Sequence, residues 1–366
     1  MSTKNNITVL ISPLDWGLGH ATRCIPLINY FLKLHCIVII AANGKQESLL
    51  KNEFPSLRFV ALPDYNIQYP YYKRFFFLKI IFQIPKILKT IHLEYNWLKR
   101  FVANNKINII VSDNRYGFSH KSIPSIFLTH QLTIKANNSI AEAILRKINY
   151  KYINRFSTCW IPDEAGIQNL AGKLSHPLVM PKIPVFYLGG LSRFNLHEKC
   201  PVSYKLLIVL SGPEPQRTLL EKKLLNQLKN FAEPVLFVRG LPGSIDILPE
   251  QANFTFHNHL PAKQMEQAFE QSELIVSRSG YTTIMDLCKM QKKSVLIPTP
   301  GQTEQEYLAV HLQSQGFCLA ANQEDFNLSE ELKRAEKFDY RFRHFEMDKF
   351  QKVLDGFVEN ISKQNS

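Results

Sequence analysis

No Cys-x-x-Cys pair occurs in the 366 residues, and the six cysteines, Cys24, Cys36, Cys159, Cys200, Cys288 and Cys318, lie scattered. This spacing excludes a zinc ribbon and provides no disulfide framework, so reduced thiols are expected. Long apolar runs are lacking as well. The opening Ile7-Thr8-Val9-Leu10-Ile11 is too short for a signal segment and has no small-residue cleavage site behind it. The most membrane-like stretch, Phe75 to Pro85, is interrupted by Lys79 and falls short of the ~20 apolar residues of a spanning helix. A cytoplasmic protein is the expectation. Acidic residues are in deficit: 31 Asp and Glu against 44 Lys and Arg leave a net charge of +13, which favours an anionic partner such as phosphate, nucleic acid or an anionic membrane face. Repeats and low-complexity tracts are absent. Hydrophobic residues at 45% and charged residues at 20% exclude wholesale disorder, and the length suits two domains.

What is present is an alternation of short β-branched runs with segments of helical period, the pattern of parallel βα units and an α/β fold. Strands are expected at Ile7–Ser12, Cys36–Ala41, Leu57–Leu62, Ile107–Ser112, Ser125–Thr129 and Cys159–Ile161, and again at Leu206–Leu210, Pro234–Val238, Phe254–Phe256, Leu274–Ser277 and Ser294–Ile297. Helices are expected near Gln216–Leu228, Pro261–Gln271, Thr282–Lys289 and Gln305–Gln315. Between the halves, His176–Cys200 is rich in Pro and Gly and shows no period, as a hinge would. We therefore expect two doubly wound, Rossmann-like domains, residues 1–190 and 191–344. The C-terminal segment, residues 345–366, has helical spacing over Phe345–Ile361 and is expected to pack back on the first domain.

After the first strand, Asp15-Trp16-Gly17-Leu18-Gly19-His20-Ala21-Thr22-Arg23 reads as a glycine turn opening a helix. Gly17 and Gly19 allow backbone N–H groups to approach a ligand, although a bare βα turn accounts for them equally well. A nicotinamide fingerprint fails twice: Thr22 stands where a third small residue belongs, and Ala41-Ala42-Asn43-Gly44 ends the second strand without a ribose-binding acid. An ATPase-type loop fails for want of G-K-[ST]. His20, at the top of a strand, is a candidate general base for a hydroxyl. Asp113, in Asp113-Asn114-Arg115-Tyr116, follows another strand and either orients His20 or serves as the base, with a plain turn acid as the alternative.

The second half carries Ser277-Arg278-Ser279-Gly280-Tyr281-Thr282-Thr283-Ile284-Met285-Asp286, then Pro298-Thr299-Pro300-Gly301-Gln302-Thr303-Glu304-Gln305-Glu306. Each follows a strand and opens a helix. The Ser279-Gly280 turn offers free N–H groups to phosphate oxygens, Asp286 can accept from a vicinal diol, and Gln305 and Glu306 can reach sugar hydroxyls. Leu210-Ser211-Gly212-Pro213-Glu214 makes a third glycine turn, so three loops at strand ends converge on one crevice. Ordinary helix caps explain any one loop, but the three together point to a nucleotide-sugar.

The tandem of G-x-G-H at Gly17 to His20, S-R-S-G at Ser277 to Gly280 with an acid six residues later, and P-x(6)-Q-[QE] from Pro298 to Glu306 resembles the GT-B glycosyltransferases of family 28. The likeness covers most of the chain in order and is more specific in the C-terminal part. It implies a UDP-sugar held by the C-terminal domain, with Asp286 on the ribose, Gln305 and Glu306 on the sugar, and Ser211 and Gly212 beside Ser279 and Gly280 at the diphosphate. The linker residue Arg193 would neutralise that diphosphate, and transfer would proceed with inversion. Glu306 replaces the family's second glutamine, Asp286 its longer glutamate, and Thr129-His130-Gln131 its acceptor-side H-E-Q. These departures, with Asp15 and Trp16 in a shortened glycine loop, imply an acceptor other than the muropeptide lipid of the best-known member.

No D-x-D triplet and no His/Cys cluster occurs, so a mechanism without metal or other cofactor is expected. Pro70 to Phe101 interleaves basic and aromatic residues with one acid, Glu94, which suits either an anionic membrane interface or a core helix with a basic face. Nucleic acid is not expected as a partner, because no recognised binding pattern accompanies the stretch. The resulting expectation is a glycosyltransferase acting on a lipid-linked or glycan hydroxyl, peripheral on the membrane's inner face. A nucleotide-sugar epimerase and a non-catalytic sugar-nucleotide binder are the alternatives.

Overall fold

The computed structural model describes residues 7–65, 76–136, 138–195, 200–246, 248 and 253–365. The first sheet comprises β1 (Thr8–Pro13), β2 (Ile37–Ala41), β3 (Arg58–Val60), β4 (Ile109–Asp113), β5 (Ser125–Leu128), β6 (Thr158–Ile161) and β7 (Val185–Tyr187), in the order β3-β2-β1-β4-β5-β6-β7. The second comprises β8 (Tyr204–Val209), β9 (Val235–Val238), β10 (Phe254–His257), β11 (Ser272–Ser277), β12 (Lys293–Leu296) and β13 (Leu319–Ala320), in the order β10-β9-β8-β11-β12-β13. Every pairing is parallel. Such strands are covered on both faces, which is why β1 and β4 read as continuous apolar runs and not as alternation.

The helices are α1 (Leu18–Lys33), α2 (Gly44–Glu53), α3 (Phe76–Asn104), α4 (Ser139–Ile153), α5 (Gln216–Leu228), α6 (Ala262–Glu270), α7 (Tyr281–Met290), α8 (Thr303–Ser314), α9 (Leu328–Lys337) and α10 (Lys349–Asn365). The interval read as a featureless hinge contains β7. Three residues beside Pro184 are too few to show a period, and the strand forms only because the β6 edge is available to it. α10 lies on the first sheet's helices: Tyr30 donates to Asp355 at 2.8 Å and meets Phe350 edge-on, while Phe357 packs edge-on against Trp160. One buried apolar cluster runs from α1 into α7, through Ala21, Cys24 and Ile25 to Tyr281, Ile284 and Met285. The two sheets are thereby joined at the site.

The basic aromatic stretch divides along its length. Pro70 to Phe75 lies outside the described residues. Further on, Ile91 and Leu98 are core, Trp97 stacks on Phe101 and Phe118, and Glu94 is fully buried against Arg115 at 2.6 Å and the Tyr65 hydroxyl at 2.7 Å. Earlier on α3, Phe82 is 81% exposed, with Ile84 and Leu88 also open to solvent.

Candidate functional site

The loops that carry the motifs gather at the C-terminal ends of both sheets, where α/β folds place their ligands. Gly17 is the N-cap of α1, and a Cβ there would meet open space. His20 follows in the first turn, with its imidazole 19% exposed. Its Nδ1 lies 3.2 Å from Oδ2 of Asp113, the last residue of β4, and 2.9 Å from Nη2 of Arg23.

Arg23, one helical turn beyond His20, is the residue that organises this cluster. It donates from Nε to Asp113 Oδ2 at 2.9 Å and from Nη2 to Asp113 Oδ1, and Nη1 donates to Nδ1 of His130 at 2.9 Å. Burial alone would raise the Asp113 pKa, but Arg23 and His20 beside it outweigh that and hold the carboxyl below its ordinary range. Asp113 is wholly buried and so is withdrawn from the cleft surface. Arg23 escaped the sequence reading, although its spacing of three from His20 places both on one helix face.

His130 accepts from Arg23 at Nδ1, which assigns its proton to Nε2; that N–H donates to Oε1 of Glu304 at 2.5 Å. Burial pulls the His130 pKa down and favours the neutral ring. The ring also stacks flat on Tyr281, with centroids 4.1 Å apart and planes 5° from parallel. Both contacts cross from the first sheet to the second. Gln131 follows, half-buried, with its backbone N–H donating to Thr129 Oγ1 at 3.0 Å.

Opposite α1 stands the N-terminus of α7. Thr282 Oγ1 donates to the Gly19 carbonyl at 2.9 Å, and a Cβ at Gly19 would lie 3.2 Å from that oxygen. The missing side chain at Gly19 thus makes room for the second sheet's helix. Gly280, the N-cap of α7, faces open space, so its free N–H end is accessible. Ser279 is buried and donates to the Gln305 carbonyl at 2.9 Å. Gln305 Oε1 accepts from Thr299 N at 2.8 Å, and Glu306 Oε1 from Gly301 N at 3.1 Å. These two side chains brace the Pro298 loop from which α8 starts. Ser211 and Gly212 follow β8; Gly212 has φ 103°, a left-handed conformation that favours glycine, and its Cβ position is 3.5 Å from Thr299 Oγ1.

Arg193 and Asp286 are brought together, with Nε 3.7 Å from Oδ2. Asp286 is 3% exposed and accepts from Ser192 Oγ at 2.7 Å. Burial pushes its pKa up to about 6 despite Arg193 and Ser192. The two residues expected at the ribose and the diphosphate therefore engage one another here. Among the described residues, no group of three or more His, Cys, Asp or Glu side chains could hold a metal ion.

Comparison with known proteins bears on the family and the fold. Residues 246–360 match the glycosyltransferase family 28 C-terminal domain. The chain is 20% identical, over 86% of its length and 86% of the relative's, to the UDP-N-acetylglucosamine--N-acetylmuramyl-(pentapeptide) pyrophosphoryl-undecaprenol N-acetylglucosamine transferase of Natranaerobius thermophilus. Among solved structures it is similar in fold to the glycotransferase of kitacinnamycin, with TM-score 0.62, 13% identity and coverage of 98% of this chain and 95% of that one. It is similar also to MurG of Acinetobacter baumannii, with TM-score 0.53, 14% identity and coverage of 98% and 99%. The chain is a family-28-like glycosyltransferase of GT-B fold.

Proposed function

We propose that this glycosyltransferase moves a sugar from a UDP-linked donor to a hydroxyl of a lipid-linked or otherwise membrane-near acceptor, with inversion. The observation that carries the reading is the meeting of α1 and α7: an imidazole backed by a buried carboxylate stands beside a helix N-terminus whose glycine cap is open. Residues 191–344 form the donor side, and residues 1–190 with the returning α10 the acceptor side. The donor sugar is N-acetylglucosamine in this reading, by analogy with the Natranaerobius relative.

The proposed step uses the tautomer in which His20 Nδ1 carries the proton and donates to Asp113, with Arg23 Nη2 giving up its contact to that nitrogen and donating to Asp113 alone, so that Nε2 takes the acceptor's hydroxyl proton as the oxygen attacks the anomeric carbon. Asp113 orients the ring and stabilises the imidazolium. The departing diphosphate is met by N–H groups near Gly212 and Gly280 and by Arg193. For that, ribose hydroxyls take the place of Ser192 and Arg193 at Asp286, which frees the guanidinium for the phosphates. Gln305 and Glu306 act on the sugar by holding the Pro298 loop in shape around it.

The membrane side of the reading rests on exposed apolar rows flanked by cations. Ile140, Ile144 and Ile148 repeat at helical spacing on α4, with Ile140 73% exposed, and Arg146, Lys147 and Lys151 lie among them. Ile87 of α3 and Tyr152 of α4 pack on one small cluster of Leu14, Tyr65 and Ile91, so both helices reach that cluster. No helix among the described residues is long and apolar enough to cross a membrane. The test is UDP release from UDP-N-acetylglucosamine with and without lipid-linked acceptors. Release that requires an acceptor supports transfer, turnover of donor alone supports epimerisation, and intact donor in both overturns the reading.

A further inference from the structure

The arginine of Ser277-Arg278-Ser279-Gly280 has no role so far. Its side chain is fully buried, and its donors reach backbone carbonyls alone: Nη1 donates to Ile297 O at 3.3 Å and Pro298 O at 3.2 Å, and Nη2 to Gln216 O at 2.9 Å. Nε is buried without a partner. No carboxylate of the described residues offsets the charge, and burial alone pulls its pKa down to about 9, still well above neutrality. The guanidinium is therefore cationic and unpaired beneath the turn that follows β11, the Pro298 loop that follows β12, and the start of α5 beyond Ser211-Gly212. Thr299 Oγ1, next to Gly212, is likewise buried without a partner.

Burying an uncompensated guanidinium is costly, and carbonyl oxygens satisfy its donors without neutralising it. Such a charge is explained when an anion binds close by, because low surrounding polarisability lets its potential reach the ligand little screened. We propose that Arg278 is a positioning residue of the donor crevice, a fixed buried charge that ties the three loops together from below and supplies positive potential to the diphosphate above them. The proposal rests on the reading of the crevice as a nucleoside diphosphate site.

The experiment is calorimetric titration of the full chain with UDP, uridine and inorganic pyrophosphate, on wild type, Arg278→Lys, Arg278→Gln and Arg278→Met. Lys keeps the charge and loses the fork; Gln keeps a donor and loses the charge. The expected result is that Met and Gln lower the ratio of UDP to uridine affinity about tenfold or more, with uridine itself nearly unchanged, while Lys restores most of the ratio. Equal weakening of uridine and UDP in the Gln and Met variants would show a mere loop staple and overturn the proposal. If Gln and Met do not fold, Lys decides alone, since a lost ratio in Lys also overturns it. Wild type that binds pyrophosphate but not UDP overturns the nucleotide reading while Arg278 is still judged on pyrophosphate. Binding of neither overturns both.

Discussion

Replacing Asp286 by Asn removes a carboxyl whose burial the fold opposes. The gap between the ordinary value of 3.8 and about 6 corresponds to about 3 kcal/mol. A carboxyl whose pKa is higher folded than unfolded holds its proton more firmly in the native state. Its contribution is thus intact below about pH 4 and is lost as the pH rises through about 6. Asn cannot ionise and carries no such loss. Denaturant unfolding of both proteins from pH 4 to pH 8 should show the Asn variant gaining about 3 kcal/mol relative to wild type across that window, since other titrating groups cancel in the difference. Nucleotide binding should move the opposite way. The ionised carboxylate accepts from the ribose diol, so at pH 8 the Asn variant should bind UDP about 1.5–3 kcal/mol more weakly. A stability difference that stays flat with pH would refute the burial argument. Unchanged UDP affinity in the variant would remove Asp286 from the ribose.

His20→Ala should cut turnover by about 10²–10⁴ while UDP affinity by titration stays within a factor of two or three, because the base faces the acceptor; normal turnover in the folded variant would take the role from His20. Adding EDTA should leave the rate of sugar transfer unchanged, given the absence of a D-x-D hook, and a rate restored by Mg²⁺ or Mn²⁺ after its loss would contradict this. In liposome flotation, anionic vesicles should carry the protein more than neutral ones. Replacing Lys86, Arg146, Lys147 and Lys151 by Gln should shrink that difference without altering UDP binding, each cation being worth ~1 kcal/mol at most near the surface. Equal recovery on both vesicle types would count against the membrane side of the reading.

Much of the architecture was legible because parallel strands buried on both faces announce themselves as apolar β-branched runs. Helix α5 spans the residues its period predicted, and nearly all strand positions agree within a few residues. β7 and β13 were not legible: with three and two residues they carry no period, and they exist because a neighbouring edge accepts them. Motif spacing likewise brought His20, Asp113, Ser279 and Gly280 to strand ends.

Partnership, by contrast, was decided by tertiary structure. Nothing in the spacing indicated that Arg23 would clamp Asp113 and reach His130, since that contact requires β1, β4 and β5 to lie side by side. Glu304 had no role in the Pro298 motif, and only the second sheet delivers it to His130. Arg278 read as part of a turn motif, and only the packing of three loops above it turned it into an unpaired buried cation. The linear sequence by itself determined which segments fold into which sheet and which residue types arrive at its ends, because those follow from local period and turn chemistry. Which charges meet, and which are left without a partner, depends on groups far apart in the chain and on how deeply each is buried, and that the tertiary structure alone decided.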